Sequence, residues 1–213
     1  MSRPPVNPPL PATTRRRQPS QERSRNLVHA VLDATAQVLQ EVGLEATSTN
    51  KVAKRAGVSV GSIYRYFPNK EALFDALVDD RIELLKDVAS ERMSELTTQT
   101  FPHAAEAMVR ATIDFFGREP AVTLLILSRT ANPNLSEHDQ QLFSRMHAVA
   151  RQYLALYADS LTVPDLDLTA TISLQVVSHF APHIALAITG HDERELFIAE
   201  IVRMLSAFVG VTP

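Results

Sequence analysis

The chain contains no cysteine, which removes disulfides, thiolate metal sites and cysteine nucleophiles together and fits a reducing cytosol. Glycine is scarce as well, six residues against 13 prolines. Runs of Val, Thr or Tyr with period two are few, so strand signals are weak and an all-α fold is expected. Residues 1–21 lack the apolar stretch of a secretion signal and are rich in proline and arginine; a disordered basic arm is the expectation. Also missing are G-x-S-x-G, H-E-x-x-H and any glycine-rich phosphate loop, which removes the best-marked hydrolytic, metal and nucleotide chemistries. Tyr66 and Lys70 have the spacing of a reductase Y-x-x-x-K pair, but Pro68 lies between them. His179 and His183 stand four apart, yet Pro182 intervenes and no acidic third ligand is near in sequence. The pair therefore reads as core or interface, and neither a metal nor a cofactor is expected. No charge occurs from Leu168 to Gly190, but Thr169, Thr171, Ser173, Gln175, Ser178, His179 and His183 interrupt the stretch. Polar groups that frequent do not suit lipid, so a helix buried at a subunit contact is expected, and a cytoplasmic protein without a membrane span.

What is present is unevenly charged. Residues 1–70 carry eleven Lys or Arg against four acids, a net of +7, while the remainder carries −10 and the whole chain −3. Such a split suggests a basic end that meets a polyanion and an acidic body that does not. At 213 residues with 45% hydrophobic content, the chain can build one large domain, or a small one joined to a larger one.

From Ser24 the apolar residues Leu27, Val31, Ala34, Val38 and Val42 recur at helical steps up to Gly43. Thr47 is placed to cap a second helix through about Ala56, Gly57 to make a turn that resists a Cβ, and Ser59 to cap a third helix of about seven residues. Pro68 stops that helix, Asn69 caps the next, and Glu71 suits its first turn, which carries a fourth helix to about Leu96. Leu73, Leu77, Ile82, Leu85 and Val88 are its expected buried residues. Further helices are expected near 103–117, 120–129, 137–159, 165–189 and 192–209, separated by Gly117 with Pro120, the turn Asn132–Leu135, the Thr162–Asp165 turn and Gly190. The total is about nine helices.

Two helices joined by a tight glycine turn, the second short and exposed, describe a helix-turn-helix. Val52, Ala53, Ala56, Val58, Ile63 and Phe67 hold the pair inward, which leaves Val60, Gly61, Ser62, Tyr64, Arg65 and Tyr66 outside. Hydroxyls, cations and backbone N–H groups bind phosphate, and side chains in the major groove read base edges. Gly61 costs a helix up to about 1 kcal/mol relative to alanine; a missing side chain there lets the backbone approach a duplex, unless the residue serves the fold through a positive φ.

The stretch "TSTNKVAKRAGVSVGSIYRYFPNKEALF" resembles the helix-turn-helix of the TetR family of bacterial transcriptional repressors, over about fifty residues. The resemblance implies DNA contacts, mostly to phosphate, by Ser48 and Thr49, by Ser62, Tyr64 and Tyr66, and by Lys70. Val60 and Arg65 occupy outward positions that vary among members, so base reading falls to them: a thymine methyl for Val60, guanine or backbone for Arg65. It further implies an N-terminal three-helix DNA-binding domain over 22–69 and a larger ligand-binding and dimerisation domain over 70–213. A ligand would act through a sixth helix that pushes the fourth. The expected partners are a near-palindromic duplex operator, a second copy of the chain, and a small hydrophobic or amphipathic ligand.

The stripes Ile172, Val176, Phe180, Ile184 and Phe197, Ile201, Leu205, Phe208 suit a four-helix interface between two copies. Met108, Phe115, Phe116, Leu125, Phe143 and Met146 are candidates to line a sensor cavity, with Arg129 and His147 as polar handles; ordinary core is the competing reading of each. Two other functions compete as well. A purely architectural DNA-binding protein leaves the large acidic body without a task, and a small helical enzyme finds no motif.

Overall fold

A computed structural model describes residues 19–96, 98–130 and 136–211. The Arg15–Arg17 run and the Asn132–Leu135 turn lie outside these described residues. Within them the chain forms nine α-helices and one 3₁₀ turn: α1 Pro19–Ala46, α2 Thr49–Ala56, α3 Val60–Tyr64, α4 Lys70–Leu96, α5 Phe101–Arg118, α6 Pro120–Thr130, α7 Glu137–Ala155, then the turn Ala158–Ser160, α8 Leu166–Ala187 and α9 His191–Phe208. α1 starts five residues before the expected Ser24, and its regular course breaks where expected, at Gly43 (φ 76°, ψ 174°).

Local chemistry explains most boundaries, with one correction. The cap of α2 is Ser48, whose Oγ accepts from the Lys51 N–H at 3.4 Å. Thr47 is buried instead and donates back to the Gly43 carbonyl at 2.7 Å. Gly57 closes α2 in the left-handed conformation (φ 67°), and the following Val58 N–H bonds to the Ala53 carbonyl at 3.0 Å. Ser59 caps α3, accepting from the Ser62 N–H at 3.0 Å; the helix has five residues, shorter than expected. Asn69 accepts from the Ala72 N–H at 2.7 Å as α4 begins. Ser136 and Asp139 form a reciprocal capping box at the start of α7.

One continuous cluster of buried residues runs the length of the molecule. It begins with Val31 and Leu39 on α1, passes Val52 and Ile63, follows Leu73, Leu77 and Val78 along α4, and reaches Ile113 on α5 and Ile198 on α9. Each such side chain contributes roughly 1.5–3 kcal/mol by leaving water. α1 packs on α2, α4 and α6; α5 packs on α8 and α9; and α7 packs on α8. α4 is shared by both halves. Of its expected stripe only Val88 is half-buried, the rest being buried.

The row Leu77–Leu85 of α4 carries a cation where an apolar residue would fit. Arg81 is only 8% exposed. Its Nε and Nη2 donate to Glu119 at 2.5 and 3.1 Å, its Nη1 to Asp80 at 2.5 Å and its Nη2 to Asp33 at 3.2 Å. Burial disfavours the charge, but the Glu119 hydrogen bonds and the Asp33 and Asp80 carboxylates outweigh it, and the guanidinium pKa is raised. The hub ties α1, α4 and the α5–α6 junction together. Beside it the Ala121 N–H donates to Gln40 Oε1 at 3.3 Å, a second link from α6 to α1.

Candidate nucleic-acid interface and ligand cavity

Val52, Ile63 and Phe67 anchor α2 and α3 on α1, and the remaining side chains of the pair are sorted by that anchoring. Tyr64 is 51% exposed, while Gly61 and Arg65 are also exposed and Ser62 and Lys70 half-buried. Gly61 has an ordinary negative φ, and a Cβ built on it meets only Ser59 Oγ at 3.9 Å. The fold therefore does not require glycine there, and the positive-φ explanation of this residue is excluded.

Most of the expected contact residues are already engaged within the protein. Thr49 is 9% exposed and its hydroxyl shares a 3.3 Å hydrogen bond with Tyr64 Oη, so it orients that phenol. Val60 is half-buried against the core and presents less surface than its expected outward place implies. Tyr66 donates to Ser24 Oγ at 3.0 Å and accepts from Arg65 Nη2 at 2.8 Å, while the Arg65 guanidinium lies 5.1 Å from its ring centroid. The Ser24 bond, and then Arg65, lower the Tyr66 pKa. Ser48 is half-buried with its Oγ turned to the α2 backbone. Lys70 Nζ sits 5.5 Å from the Phe74 ring centroid. Exposed Arg23, Arg25, Lys51 and Lys54 add positive charge to this end. Arg55 does not, being paired with Glu41 at 2.5 Å. Ser24 was not visible as a site residue from sequence, since 42 residues separate it from Tyr66.

At the other end α4, α5, α6, α7 and α8, with Leu205 of α9, line a partly open cavity of about 340 Å³. Five expected residues line it: Met108, Phe116, Arg129, Phe143 and Met146. Three do not. Phe115, one helical step from Phe116, faces a separate cleft with Val122 and Arg81. Leu125 is buried in the core, and His147 turns its Nε2 to the Asp167 carbonyl at 3.1 Å. Arg129 is not a free handle, because it is paired with Asp75 and lies 4.0 Å from Asp139. Among the lining residues that sequence reasoning missed are Tyr153 and Ser173, whose hydroxyl oxygens are buried without a hydrogen-bond partner. Burial, with a smaller contribution from Tyr157, raises the Tyr153 pKa and keeps the phenol protonated.

The expected pairing stripes divide in the structure. Ile172, Phe180, Phe197 and Phe208 are exposed and Val176 half-buried, but Ile184, Ile201 and Leu205 are buried inside the same chain, so they do not form an outward face. Leu168, Leu196 (68% exposed) and Met204 take their place on that surface. His179 and His183 stack with ring centroids 4.8 Å apart, and His183 Nδ1 contacts the His179 carbonyl at 2.6 Å. Among the described residues no cluster of metal-ligating side chains occurs, and no helix is long and apolar enough to cross a membrane.

A capped helix-turn-helix on the start of a long helix that runs into a separate cavity-bearing bundle defines a DNA-binding transcriptional regulator of the two-part helical class. Residues 31–77 match the bacterial regulatory proteins of the tetR family, and residues 100–208 match the tetracyclin repressor-like C-terminal domain. The chain belongs to the TetR family. It is 31% identical over 140 residues to the nucleoid occlusion factor SlmA of Edwardsiella ictaluri, covering 61% of this chain and 67% of that protein. Across eight such curated relatives the chain spans between 42% and 68% of their length. Its fold is similar to that of FadR from Bacillus subtilis, solved with stearoyl-CoA (TM-score 0.68, 19% identity, 85% of this chain and 97% of that one). RolR, solved with resorcinol, is similar too (TM-score 0.63, 18% identity, 90% and 91%).

Proposed function

We propose that the protein is a homodimeric repressor that leaves its operator when a small apolar or amphipathic molecule enters the cavity. The observation that carries this reading is the shared helix: α4 starts close after the exposed Tyr64 and Arg65 and lines the cavity with Val78, Ile82, Leu85 and Ala89. Residues 22–69 act as the DNA-binding domain and 70–213 as the sensing and pairing domain. Ser62, Tyr64 and Lys70 hold phosphate, Arg65 reaches base edges or backbone, and Gly61 admits the duplex to the α3 backbone. Thr49 and Tyr66 serve by fixing Tyr64 and Arg65. Two copies pair through the exposed residues of α8 and α9, and their recognition helices sit about 34–36 Å apart, or somewhat wider, on a near-palindrome.

Release follows from unequal affinity of the ligand for two arrangements of α6 and α4. α6 lines the cavity with Ile126 and Leu127, and its start is tied to α1 through Ala121–Gln40 and to α4 and α1 through Glu119–Arg81–Asp33. A ligand that displaces α6 thus moves the helices that carry α2 and α3. That RolR was solved with resorcinol and FadR with stearoyl-CoA supports a sensing role for this bundle. The SlmA relatives are named nucleoid occlusion factors, which fits the purely architectural alternative only weakly, and the cavity argues against that alternative here. Selection of duplexes from a random pool, followed by titration of the selected site against a compound library, tests the reading. A protein that selects no sequence, or whose selected site no compound releases, overturns it.

A further inference from the structure

The cavity wall is chemically unusual in what it leaves unsatisfied. Most of its lining is aliphatic, aromatic or methionine, from Val78 and Ile82 on α4 to Met146 and Val149 on α7. Against this wall Tyr153 Oη on α7 and Ser173 Oγ on α8 are both shielded from solvent and both without a partner. Tyr153 is 9% exposed, and its ring is fixed by Phe101 and Tyr157, whose centroids lie 6.2 and 5.4 Å away. A buried hydroxyl without a partner costs more than a hydrogen bond contributes, so native chains rarely retain one by chance. Each hydroxyl can both donate and accept.

The charged groups of the wall point the other way. Among the described residues Arg129 is the lining's one guanidinium or ammonium group, and Asp75 and Asp139 already hold it. Asp139 Oδ2 is itself taken by the Ser136 N–H and hydroxyl at 3.3 and 2.7 Å. An anion entering here meets the Asp139 carboxylate and a guanidinium already claimed, and a cation meets a carboxylate already used. Either charge leaves its hydration for a wall that is mostly apolar, whose remaining polar side chains are Thr112, Tyr153, Ser173, Gln175, Ser178 and His179.

We infer that the cavity takes a compact, uncharged ligand, aromatic or alicyclic, whose hydroxyl or carbonyl groups hydrogen-bond to Tyr153 Oη and Ser173 Oγ once a small side-chain movement brings those oxygens, shielded behind the wall, to the cavity surface. This deepens the sensing role proposed above and rests on it for its biological meaning, though not for its test.

Four probes of one shape decide the matter on the full chain: 2-naphthol, naphthalene, 2-naphthoate and protonated 2-naphthylmethylamine, each titrated by its own fluorescence. The expected order places 2-naphthol about tenfold tighter than naphthalene, with both ions weaker than naphthalene. Tyr153→Phe should bring 2-naphthol down to the affinity of naphthalene and leave naphthalene unchanged; Ser173→Ala should do the same in part. Without ligand, Tyr153→Phe should melt no lower than the wild type, since it removes a hydroxyl that has no partner. A lower melting point, equal or tighter binding of either ion, a Tyr153→Phe protein that keeps its preference for 2-naphthol, or no binding by any probe would each overturn the inference. Operator release is read separately. If 2-naphthol binds through Tyr153 but leaves DNA bound, the release reading fails and the ligand class stands. If a carboxylate compound enters the cavity and releases DNA, the ligand class fails and the release reading stands.

Discussion

The α2–α3 unit pairs every hydroxyl that faces its surface, whereas the α5–α8 bundle pairs most of its own, Thr112, Thr123 and Thr169 among them, and leaves two buried ones open. In the first, Thr47, Ser48, Thr49, Ser59, Ser62, Tyr64 and Tyr66 are each engaged with a backbone group or another side chain. In the second, Tyr153 and Ser173 are buried and engaged with nothing. A surface that docks on a stiff polyanion gains affinity from being ordered before contact, because little side-chain entropy remains to be lost. A cavity gains selectivity from groups that only the right guest can satisfy. Rigidity at one end and incompleteness at the other are both forms of preparation, and each can be attacked separately.

The largest expected effect removes the platform on which both ends depend. Ile172→Asp with Phe180→Asp places charges on the exposed part of α8, and should give monomers whose operator affinity falls by two orders of magnitude or more, since one half-site holds far fewer contacts. Sedimentation velocity at micromolar concentration, beside a DNA titration, checks this; a wild type that sediments as a monomer would end the pairing proposal. The next effect is confined to the DNA-facing end. Lys70→Ala should weaken binding on every sequence alike and reduce the slope of log affinity against log salt by roughly one per subunit. Probe binding in the cavity should not change.

Gly61 gives a smaller and opposite pair of effects. Gly61→Ala should raise stability by up to about 1 kcal/mol, because its φ is negative and its Cβ has room. The same change should weaken operator binding, and Gly61→Gln should weaken it more. An alanine variant that binds as well as the wild type would show that close approach is not what the glycine supplies. The smallest effect belongs to the cavity. The Tyr153 pKa is raised by burial, so above the ordinary phenol value of about 10 the unfolded chain releases a proton that the folded chain keeps. Stability is therefore unaffected below that pH and falls as pH rises through it, by about 0.4 kcal/mol at pH 10, where the unfolded group is half ionised. Urea unfolding at pH 8 and pH 10 should show this loss in the wild type and less of it in Tyr153→Phe, the remainder coming from Tyr157, whose pKa burial also raises.

How much of this was legible in the sequence follows from the range of the forces involved. The α2–turn–α3 unit and the start of α4 are specified by residues within a turn of the feature they control, such as Gly57, Ser59 and Asn69. The exchange of Thr47 for Ser48 arose because two hydroxyls compete for one cap and only packing decides which is buried. The body was legible as helices and not as faces. α8 is apolar around much of its circumference, so its period could not tell Ile184, which faces its own chain, from Ile172, which faces out. Tyr153 falls on the row Leu142, Met146, Val149 and reads as core; nothing in a sequence says whether a phenol in such a row finds a partner. Arg81 left a trace, a cation on an inward row, but its three carboxylates come from three separate parts of the chain.

Arg81 has one more consequence, for the choice of denaturant. In urea, which carries no charge, the hub persists until the shared core yields, so α1–α3 and the bundle should unfold in a single step. Guanidinium chloride supplies at molar concentration the same planar cation that Arg81 presents to Asp33 and Glu119, and it screens the pairs over roughly 3 Å as well. The solvent then competes for the carboxylates one by one, and the N-terminal unit should part from the bundle first, splitting the curve into two steps that Arg81→Met would show in urea too.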